Sequence, residues 1–507
     1  MTTLRAIFLL GSALALAACG ADDVASPGQG VIISPPSGGG NGGGNNGGNG
    51  GGNSGDLNAA PCPTHDNIQE LASRVAGHRV CQVSGVVTKD LTLESLEGVL
   101  YSLRGGVRIG VDVGGDGNKA GGQSATLFVD PGVLIYGSSG ADFLLIERGS
   151  KINAVGTADK PIIFTSAANV RGESGADSIG EWGGILLLGR APINTCIGNV
   201  QGGAVNCEAQ IEGADGFYGG ATPNDSSGRM EYVQVRFPGF EVTPGNELNG
   251  ITMGGVGSGT VFEHIQVHNS SDDGIEWFGG TANGKYLVVT GADDDSLDTD
   301  LGYTGFNQFV LVEQRSTGGD FVIEADSDGN DLLTPRSRPV FANFTFIGKR
   351  TSNAAVMMRG GTDYGLYNGI ITSTTTACLQ LRAQQTVAPA NAALDEQGPP
   401  VVASTFLSCT TPAAGHGGSN VTEQQVLNVL TGNNNELNGT STLINTYFPG
   451  ANENAVPAFA DLAGVNAYLT NVNYIGAFRD ANDNWFNGWT CGLPGQTSCT
   501  AAARPVR

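Results

Sequence analysis

The sequence predicts an all-β fold, a right-handed parallel β-helix (solenoid) with a short N-terminal capping helix and a long loop insertion. Short runs rich in Val, Ile, Phe and Tyr recur at a near-constant pitch, since Ile265, Leu287 and Phe309 follow one another at intervals of 22 residues. Turns rich in Gly, Asn and Asp separate the runs, and no helical pattern lies between them. We therefore expect coils that stack about 4.8 Å apart.

The first segment, residues 1–18, has the pattern of a lipoprotein signal peptide. Arg5 precedes an apolar run that is too short for a permanent membrane span. Leu16-Ala17-Ala18-Cys19 resembles a bacterial lipobox, which implies acylation of Cys19, with palmitate among the expected chains. Gly20 follows Cys19, and by resemblance to Gram-negative lipoprotein sorting this favours the outer membrane, facing the periplasm or the cell surface. The alternative is an ordinary secretory signal followed by a stray cysteine.

The next segment, residues 19–58, predicts a lipidated Gly/Asn-rich tether, because such a composition cannot bury apolar surface. The folded β-helix domain is then expected over residues 59–507. Thr64 to Ala76 is predicted to form the helix that caps the first coil, with Thr64 as its N-cap and Gly77 as its stop.

The strand pattern breaks within residues 383–436, which we interpret as a loop insertion with a short helix at Thr422 to Leu430. Residues 443–507 are expected to close the domain as a C-terminal cap. Trp485 and Trp489 would pack in that cap, and the alternative for both is stacking against sugar rings.

Carboxylates repeat with the coils. Asp273-Gly-Ile-Glu276 and Asp295-Ser-Leu-Asp298 share one pattern and lie 22 residues apart, so Glu276 should lie over Asp298 and Asp273 over Asp295. Stacked carboxylates repel unless a cation intervenes, and Ca²⁺ with oxygen ligands is the simplest solution. The alternative is a row of solvated turn residues. The candidate calcium ligands are Asp273, Glu276, Asp295, Asp298, Asp300, Asp326, Asp328 and Asn330.

The last three of these ligands come from a segment, Asp326 to Asp331, that places oxygen groups at alternate positions around a glycine. The twelfth position is Ser337 rather than a bidentate Glu, so the segment is not an EF-hand. Asp112 to Asn118 is a weaker version of the same pattern.

Cysteines indicate an exported protein. Once Cys19 is lipidated, eight remain, and they fall into neighbouring pairs. Local pairing is favoured because sequence neighbours in a solenoid are also neighbours in space, and free buried thiols are the alternative. The predicted disulfides are Cys62–Cys81, Cys196–Cys207, Cys378–Cys409 and Cys491–Cys499.

Specific strings add a family resemblance. Glu181-Trp-Gly-Gly-Ile-Leu-Leu-Leu-Gly-Arg-Ala-Pro-Ile-Asn194, the acidic turn Asp272 to Gly280 and the closing stretch Tyr474 to Thr490 resemble those of secreted and surface-anchored bacterial β-helix proteins. The resemblance implies a pectate-lyase-like fold and a surface location. It implies no particular activity, since a fold does not fix a function.

The charge balance limits the partners. A net charge of −23 makes nucleic acid an unexpected partner. The lipid anchor predicts contact with the outer membrane, and a polysaccharide or a surface protein is the expected further partner.

The sequence leaves the catalytic residues unknown. His264 and His268 could act as a base or as ligands, although packing is the simpler role. A lyase would need a base beside the carboxylates, for which Lys285, Arg315, Arg336 and Arg338 are the candidates. Two functions follow: a surface lipoprotein that uses a calcium-stabilised β-helix for binding, adhesion or structural support, and a surface-displayed polysaccharide lyase or glycoside hydrolase.

Overall fold

The protein folds as a right-handed parallel β-helix, as the sequence predicts. The structure, a computed structural model, describes residues 59–243, 245–327, 332–350 and 354–507. The predicted signal peptide and tether lie outside the described residues. Within the described part of the chain, no helix combines the length and apolar character needed to cross a membrane.

The strands are short, as expected for runs that alternate with turns. In chain order they are β1 (Ile68–Glu70), β2 (Arg79–Val87), β3 (Leu91–Leu93), β4 (Val99–Ile109), β5 (Thr126–Val129), β6 (Leu134–Gly137), β7 (Phe143–Ile146), β8 (Lys151–Val155), β9 (Ile162–Ser166), β10 (Gly184–Leu188), β11 (Ala209–Gln210), β12 (Phe217–Tyr218), β13 (Gly228–Arg236), β14 (Glu241–Thr243), β15 (Asn246–Glu247), β16 (Ile251–Gly254), β17 (Val261–His268), β18 (Ile275–Phe278), β19 (Gly284–Thr290), β20 (Leu297–Asp300), β21 (Phe306–Glu313), β22 (Ile323–Ala325), β23 (Val340–Gly348), β24 (Ala354–Met358), β25 (Gly365–Ser373), β26 (Ala377–Leu381), β27 (Val401–Ser408) and β28 (Ala413–Ala414).

Helices are few and short. They are α1 (Ala167–Arg171), α2 (Glu423–Leu430) and α3 (Leu462–Val465), with 3-10 turns at Gln384–Val387, Ala392–Leu394, Gly417–Ser419 and Glu453–Ala455.

Parallel pairing divides each coil among three faces. Face A holds β3, β5, β8 and the first halves of the long strands β13, β17, β19, β21, β23, β25 and β27. Face B holds β6, β9, the first halves of β2 and β4, and the second halves of those same long strands. Face C holds the second halves of β2 and β4, followed by β7, β10, β16, β18, β20, β22, β24, β26 and β28.

Apolar columns fill the space between the faces. Ile265 pairs with Leu287, as the 22-residue spacing predicts, and both are buried. The next member of that column is Val310 rather than the predicted Phe309. Leu297 on β20 pairs with Ile275 on β18, and Val310 on β21 pairs with Leu287 on β19. The prediction fails by one residue because the chain from Leu297 to Val310 is one residue longer than the chain from Ile275 to Leu287.

The corner between faces A and B is a column of left-handed residues. Its members are Tyr232, His264, Tyr286, Phe309, Asn343, Asn368 and Ser404, all with φ between +49° and +61°. Non-glycine residues adopt this conformation at a cost of roughly 1 kcal/mol or more. Stacking offsets part of that cost, since the first four rings lie 4.2, 4.4 and 4.9 Å apart between centroids.

The predicted N-terminal helix is wrong. The segment that was expected to be helical contains β1, which pairs antiparallel with β2. An open strand edge exposes unpaired backbone groups, and this pairing satisfies them on β2. The Cys62–Cys81 disulfide also ties the chain just before this segment to β2. Tertiary pairing therefore overrides the local helical pattern.

The predicted insertion over residues 383–436 is an insertion only in its first part. Residues 382–400 form a loop with two 3-10 turns, but β27 and β28 then complete another coil. The chain re-enters the solenoid because the run that begins at Val401 supplies buried apolar residues. The predicted short helix is present as α2, and Thr422 caps it through a capping box with Gln425.

The predicted C-terminal cap lies along the side of the solenoid rather than across its end. Residues 443–507, hereafter the strap, run from the last coils back to the first, as contacts of Phe459 with Asn368 and of Val506 with Gly132 show. Trp489 is fully buried against Tyr232 and His264, so sugar stacking is excluded for it. The strap follows this path because the aromatic corner column needs an apolar cover.

Buried side-chain amides hold the strap. Gln266 donates to the Cys491 carbonyl at 2.8 Å and accepts from the Cys491 N–H at 2.8 Å. Gln308 makes the same two bonds with Thr470, both at 2.8 Å. Each amide thereby replaces the partner strand that the strap backbone lacks.

All four predicted disulfides are present. Two of them lie in the core wall, where Cys81 and Cys378 are fully buried, and two close loops at Cys196–Cys207 and Cys491–Cys499. Each is expected to stabilise the fold by roughly 2–4 kcal/mol.

We predict that Gln266→Ala lowers the free energy of unfolding by about 2–4 kcal/mol. The substitution leaves the buried N–H and carbonyl of Cys491 without partners, and each orphaned group costs about 1–3 kcal/mol. Urea unfolding followed by tryptophan fluorescence measures the change. Gln201→Ala, at an exposed position, is the matched control and should stay within about 0.5 kcal/mol of the parent. Equal free energies of unfolding for the two variants would contradict a stabilising role for the hydrogen bonds between Gln266 and Cys491.

Candidate metal centre

The acidic stretch lies on face C. Glu276 pairs with Asp298 on the next coil, and Asp298 pairs with Glu324 on the coil after that. We name these three residues the carboxylate ladder. Ile275, Leu297 and Ile323 precede them and are fully buried in the core, so alternation directs the carboxylates to the outer side of the face.

Loops cover the outer side, so the ladder is not on open surface. Glu276 and Asp298 are only 6% and 8% exposed. The loops that lead into β13 and β16 bring Glu212 and Glu247 close enough to interact electrostatically with this region. These two loops therefore add negative charge to the region instead of neutralising it.

Two groups of carboxylates converge. Oxygens of Asp273, Glu276 and Asp298 all lie within 4.8 Å of one another, and so do oxygens of Asp272, Asp273 and Asp294. Asp273 belongs to both groups. Oδ1 of Asp298 is buried without a hydrogen-bond partner among the described residues. An unsatisfied buried carboxylate oxygen is costly, which makes this atom a natural ligand for a cation.

Some predicted ligands already accept hydrogen bonds from backbone N–H groups. Asp273 accepts a hydrogen bond from the Asp295 N–H at 2.9 Å, and Asp295 accepts one from the Phe321 N–H. Asp300 accepts from the N–H of Leu301 at 2.7 Å. Asp273 thus lies over Asp295, as its spacing predicts, and the two carboxylates also hold successive turns together.

Burial and mutual repulsion disfavour ionisation of the cluster. Burial, reinforced by Asp298, raises the pKa of Glu276 well above its ordinary range. Burial and neighbouring carboxylates likewise raise the pKa values of Asp273 and Asp295, and burial with Glu324 as the first charged neighbour raises that of Asp298. Burial brings the pKa of Glu324 to about 7. Such pKa values mark a site where protons and cations compete.

One arginine stands at the edge of the ladder, and the sequence did not single it out. Arg359 pairs with Glu324 at 2.6 Å and also with Asp326. Asp326 is therefore neutralised by an arginine, and it belongs to neither of the two convergent groups of carboxylates. Arg359 was missed because the spacing between its strand and the earlier coils departs from 22 residues.

The remaining predicted site residues lie elsewhere. Lys285 contacts the Tyr468 ring on another face, and Arg315, Arg336 and Arg338 pair with Asp293, Glu396 and Asp395. In the weaker calcium-like pattern, Arg148 and Lys119 already neutralise Asp112. Cys19, Asp328 and Asn330 fall outside the described residues.

The two histidines have different surroundings. His264 stacks between Tyr232 and Tyr286 in the corner column, which is a packing role. His268 lies at the end of β17 beside Arg236.

Glu324, Glu212 and Glu247 also belong to the acidic region, although the sequence did not identify them. Glu324 follows Asp298 by 26 residues, because the loop between β21 and β22 is longer than the preceding turns, so the period hid it. A signal was present nonetheless, since Ile323-Glu324 repeats the apolar-acid order of Ile275-Glu276.

The raised pKa values of the ladder predict an inverse dependence of stability on pH. The folded protein holds protons that the unfolded chain releases near pH 4, so without calcium the free energy of unfolding falls between about pH 4 and 7. For each carboxyl group, a pKa that is higher by one in the folded state than in the unfolded state corresponds to about 1.4 kcal/mol. Urea unfolding at a series of pH values in a chelating buffer measures this.

Asp298→Asn should flatten that pH profile, because the amide cannot ionise. Glu94→Gln, at an exposed position, should leave the profile unchanged. A profile that rises toward neutral pH in the parent protein would contradict buried, proton-binding carboxylates.

Comparison with known proteins gives one result at the level of the family. No curated protein matches the chain, and no solved structure matches it. Residues 116–490, well over half of the chain, match the model of the pectate-lyase like beta helix domain. The matched region contains the carboxylate ladder and most of the coils described above. The chain belongs to the pectate-lyase-like β-helix domain family.

Proposed function

We propose that this protein is a calcium-stabilised β-helix lipoprotein of the outer membrane, displayed at the cell surface, where it binds a glycan or a protein partner. The observation that carries the proposal is the convergence of Asp273, Glu276 and Asp298 within 4.8 Å, together with the unpartnered Oδ1 of Asp298. A cation removes the repulsion among these carboxylates and satisfies the orphaned oxygen.

The donor set fits calcium better than zinc. Both convergent groups consist of carboxylates alone, and hard oxygen ligands suit Ca²⁺, whereas zinc favours histidine and cysteine. The eight cysteines of the described domain are all in disulfides. Ca²⁺ takes six to eight oxygen ligands, so three carboxylates leave positions that water or a ligand oxygen could fill.

The second convergent group supports a binding role. Asp294 is exposed, whereas Asp273, which it approaches, is buried. A cation held by Asp272, Asp273 and Asp294 would therefore have protein on one side and solvent on the other. A glycan hydroxyl or carboxylate could reach it from the solvent side, which gives the acidic chain a way to bind an acidic polymer that it would otherwise repel.

The surface location rests on the sequence and on the disulfides. Cys19 and the Gly/Asn-rich tether are the expected anchor and spacer. Disulfides persist outside the reducing cytosol, and four of them in one domain support export. A tether of this length would carry the β-helix away from the membrane surface.

Calcium titration of the full-length protein tests the proposal. We expect saturable binding by calorimetry and a rise in melting temperature that is larger at pH 8 than at pH 5, because protons compete for the same carboxylates. At 100 times its dissociation constant, calcium should add about 2.7 kcal/mol of stability.

Asp298→Asn should weaken calcium binding at least tenfold, whereas the exposed control Asp159→Asn should bind as the parent does. Absence of saturable binding in the parent protein at pH 8 would overturn the proposal. Equal affinity in Asp298→Asn would move the metal away from the ladder.

A second candidate function is a surface-displayed polysaccharide lyase, which Arg359 favours. Its guanidinium lies beside Glu324 and Asp326, and its charge partly opposes the rise that burial causes in the pKa of Asp298. A cation and a basic side chain could therefore act on the same sugar. Calcium would supply the positive charge that acidifies the proton beside a uronate carboxylate. The protonated guanidinium of Arg359 would orient that carboxylate, and the neighbouring carboxylate of Glu324 would accept the proton.

A panel of uronate polymers, followed by the absorbance of unsaturated products, tests the lyase. Arg359→Gln should reduce any turnover at least a hundredfold, and Arg338→Gln, away from the ladder, should not change it. No turnover on any polymer, together with calcium binding, would leave the binding module as the function.

A further inference from the structure

Arg236 is a buried arginine without a carboxylate partner among the described residues. It ends β13 on the outer side of face B and is only 5% exposed. Its one side-chain hydrogen bond in the described ranges runs from Nε to Oε1 of Gln234, at 2.7 Å. The two terminal nitrogens of the guanidinium have no partner in the described part of the chain.

Two other buried arginines are neutralised by carboxylates. Arg148 pairs with Asp112 and Glu208, and Arg336 pairs with Glu396. Burial is the one cause that acts on the pKa of Arg236, which falls to about 10, so the group remains charged at neutral pH. A buried charge with no counter-charge is unfavourable, and arginine cannot relieve this by losing its proton.

The next coil supplies a second donor. His268 pairs with Arg236 in the strand register, and its Nδ1 lies 2.8 Å from Oγ1 of Thr290. Burial and the nearby charges of Arg236 and Arg315 lower the pKa of His268 to about 3, so the ring is neutral. When the Thr290 hydroxyl donates to Nδ1, the proton lies on Nε2, which has no partner among the described residues and can donate outward.

The surroundings make this a sheltered position with access from one side. Phe237 packs edge-on against His268, with ring centroids 5.4 Å apart, and contacts the Cys491–Cys499 disulfide of the strap. His268 itself is partly exposed, whereas Arg236, its partner on the preceding coil, is buried. Arg315 stands nearby but is occupied by Asp293 and Asp177.

We propose that Arg236 and His268 form a binding site for an oxyanion, a carboxylate, sulfate or phosphate group that accepts from the guanidinium and from Nε2 of His268. An oxyanion has two or more oxygens that match the planar guanidinium fork. The site is independent of the calcium proposal, because it lies on face B and carries the opposite charge to the ladder on face C.

Calorimetry on the full-length protein tests the site, with sodium sulfate, sodium phosphate and sodium acetate as probes at constant ionic strength and without added calcium. We expect saturable binding of at least one probe. Arg236→Met should weaken it at least tenfold, while Arg229→Met, an exposed position on the same strand, should not change it. Absence of saturable binding for all three probes, or equal affinity in Arg236→Met, would overturn the proposal.

A further titration, with glucuronate, distinguishes the acidic group of a sugar from a free anion as the natural ligand. Glucuronate that binds at least tenfold more tightly than acetate would show that the site takes the acidic group of a sugar. Equal affinities would show a site for a free anion.

A measurement on the unchanged protein guards against a variant that fails to fold. Crystals soaked in selenate should give an anomalous peak within hydrogen-bond distance of the Arg236 guanidinium. A protein oxygen in that position instead of the peak would overturn the proposal.

Discussion

Parallel strand pairing holds successive coils roughly 4.8 Å apart, and most of this structure depends on that distance. Each side chain has a counterpart one coil above and one coil below, so a residue type that recurs forms a continuous column. Apolar columns such as Ile275, Leu297 and Ile323 fill the interior. Aromatic residues at the corner stack for the same reason, and the stacking helps to offset their left-handed backbone.

The same distance makes charge columns costly. Glu276, Asp298 and Glu324 would repel one another in water, and loops that bury them increase the cost. Arg359 neutralises Glu324 at one end of the column, but Asp298 in the middle keeps an oxygen without a hydrogen-bond partner among the described residues. A fold that stacks its side chains therefore concentrates charge repulsion at one place, which is where a cation is proposed. Arg236 presents the opposite charge on another face.

The strap shows how a solenoid closes its side. Its backbone has no strand to pair with at these positions, and Gln266 and Gln308 supply the missing donors and acceptors. The aromatic corner supplies the apolar area, and Trp489 fills it. The amide contacts join residues that lie 225 and 162 positions apart, so no local pattern could indicate them.

The sequence by itself determined the β-helix, the four disulfides and the stacking of Glu276 over Asp298, because each of these follows from spacing along the chain. Ile265 and Leu287 share a column for that reason, and so do the two turns that begin at Asp273 and Asp295. Only the tertiary structure decided where the period slips, as at Phe309, and that β1 replaces the expected helix, because turn lengths and open strand edges act only once coils meet. It alone brought Arg359 to the ladder and left Arg236 without a counter-charge among the described residues. Burial and charge pairing depend on which coils lie next to each other, and the loops that shift the period also determine those neighbours.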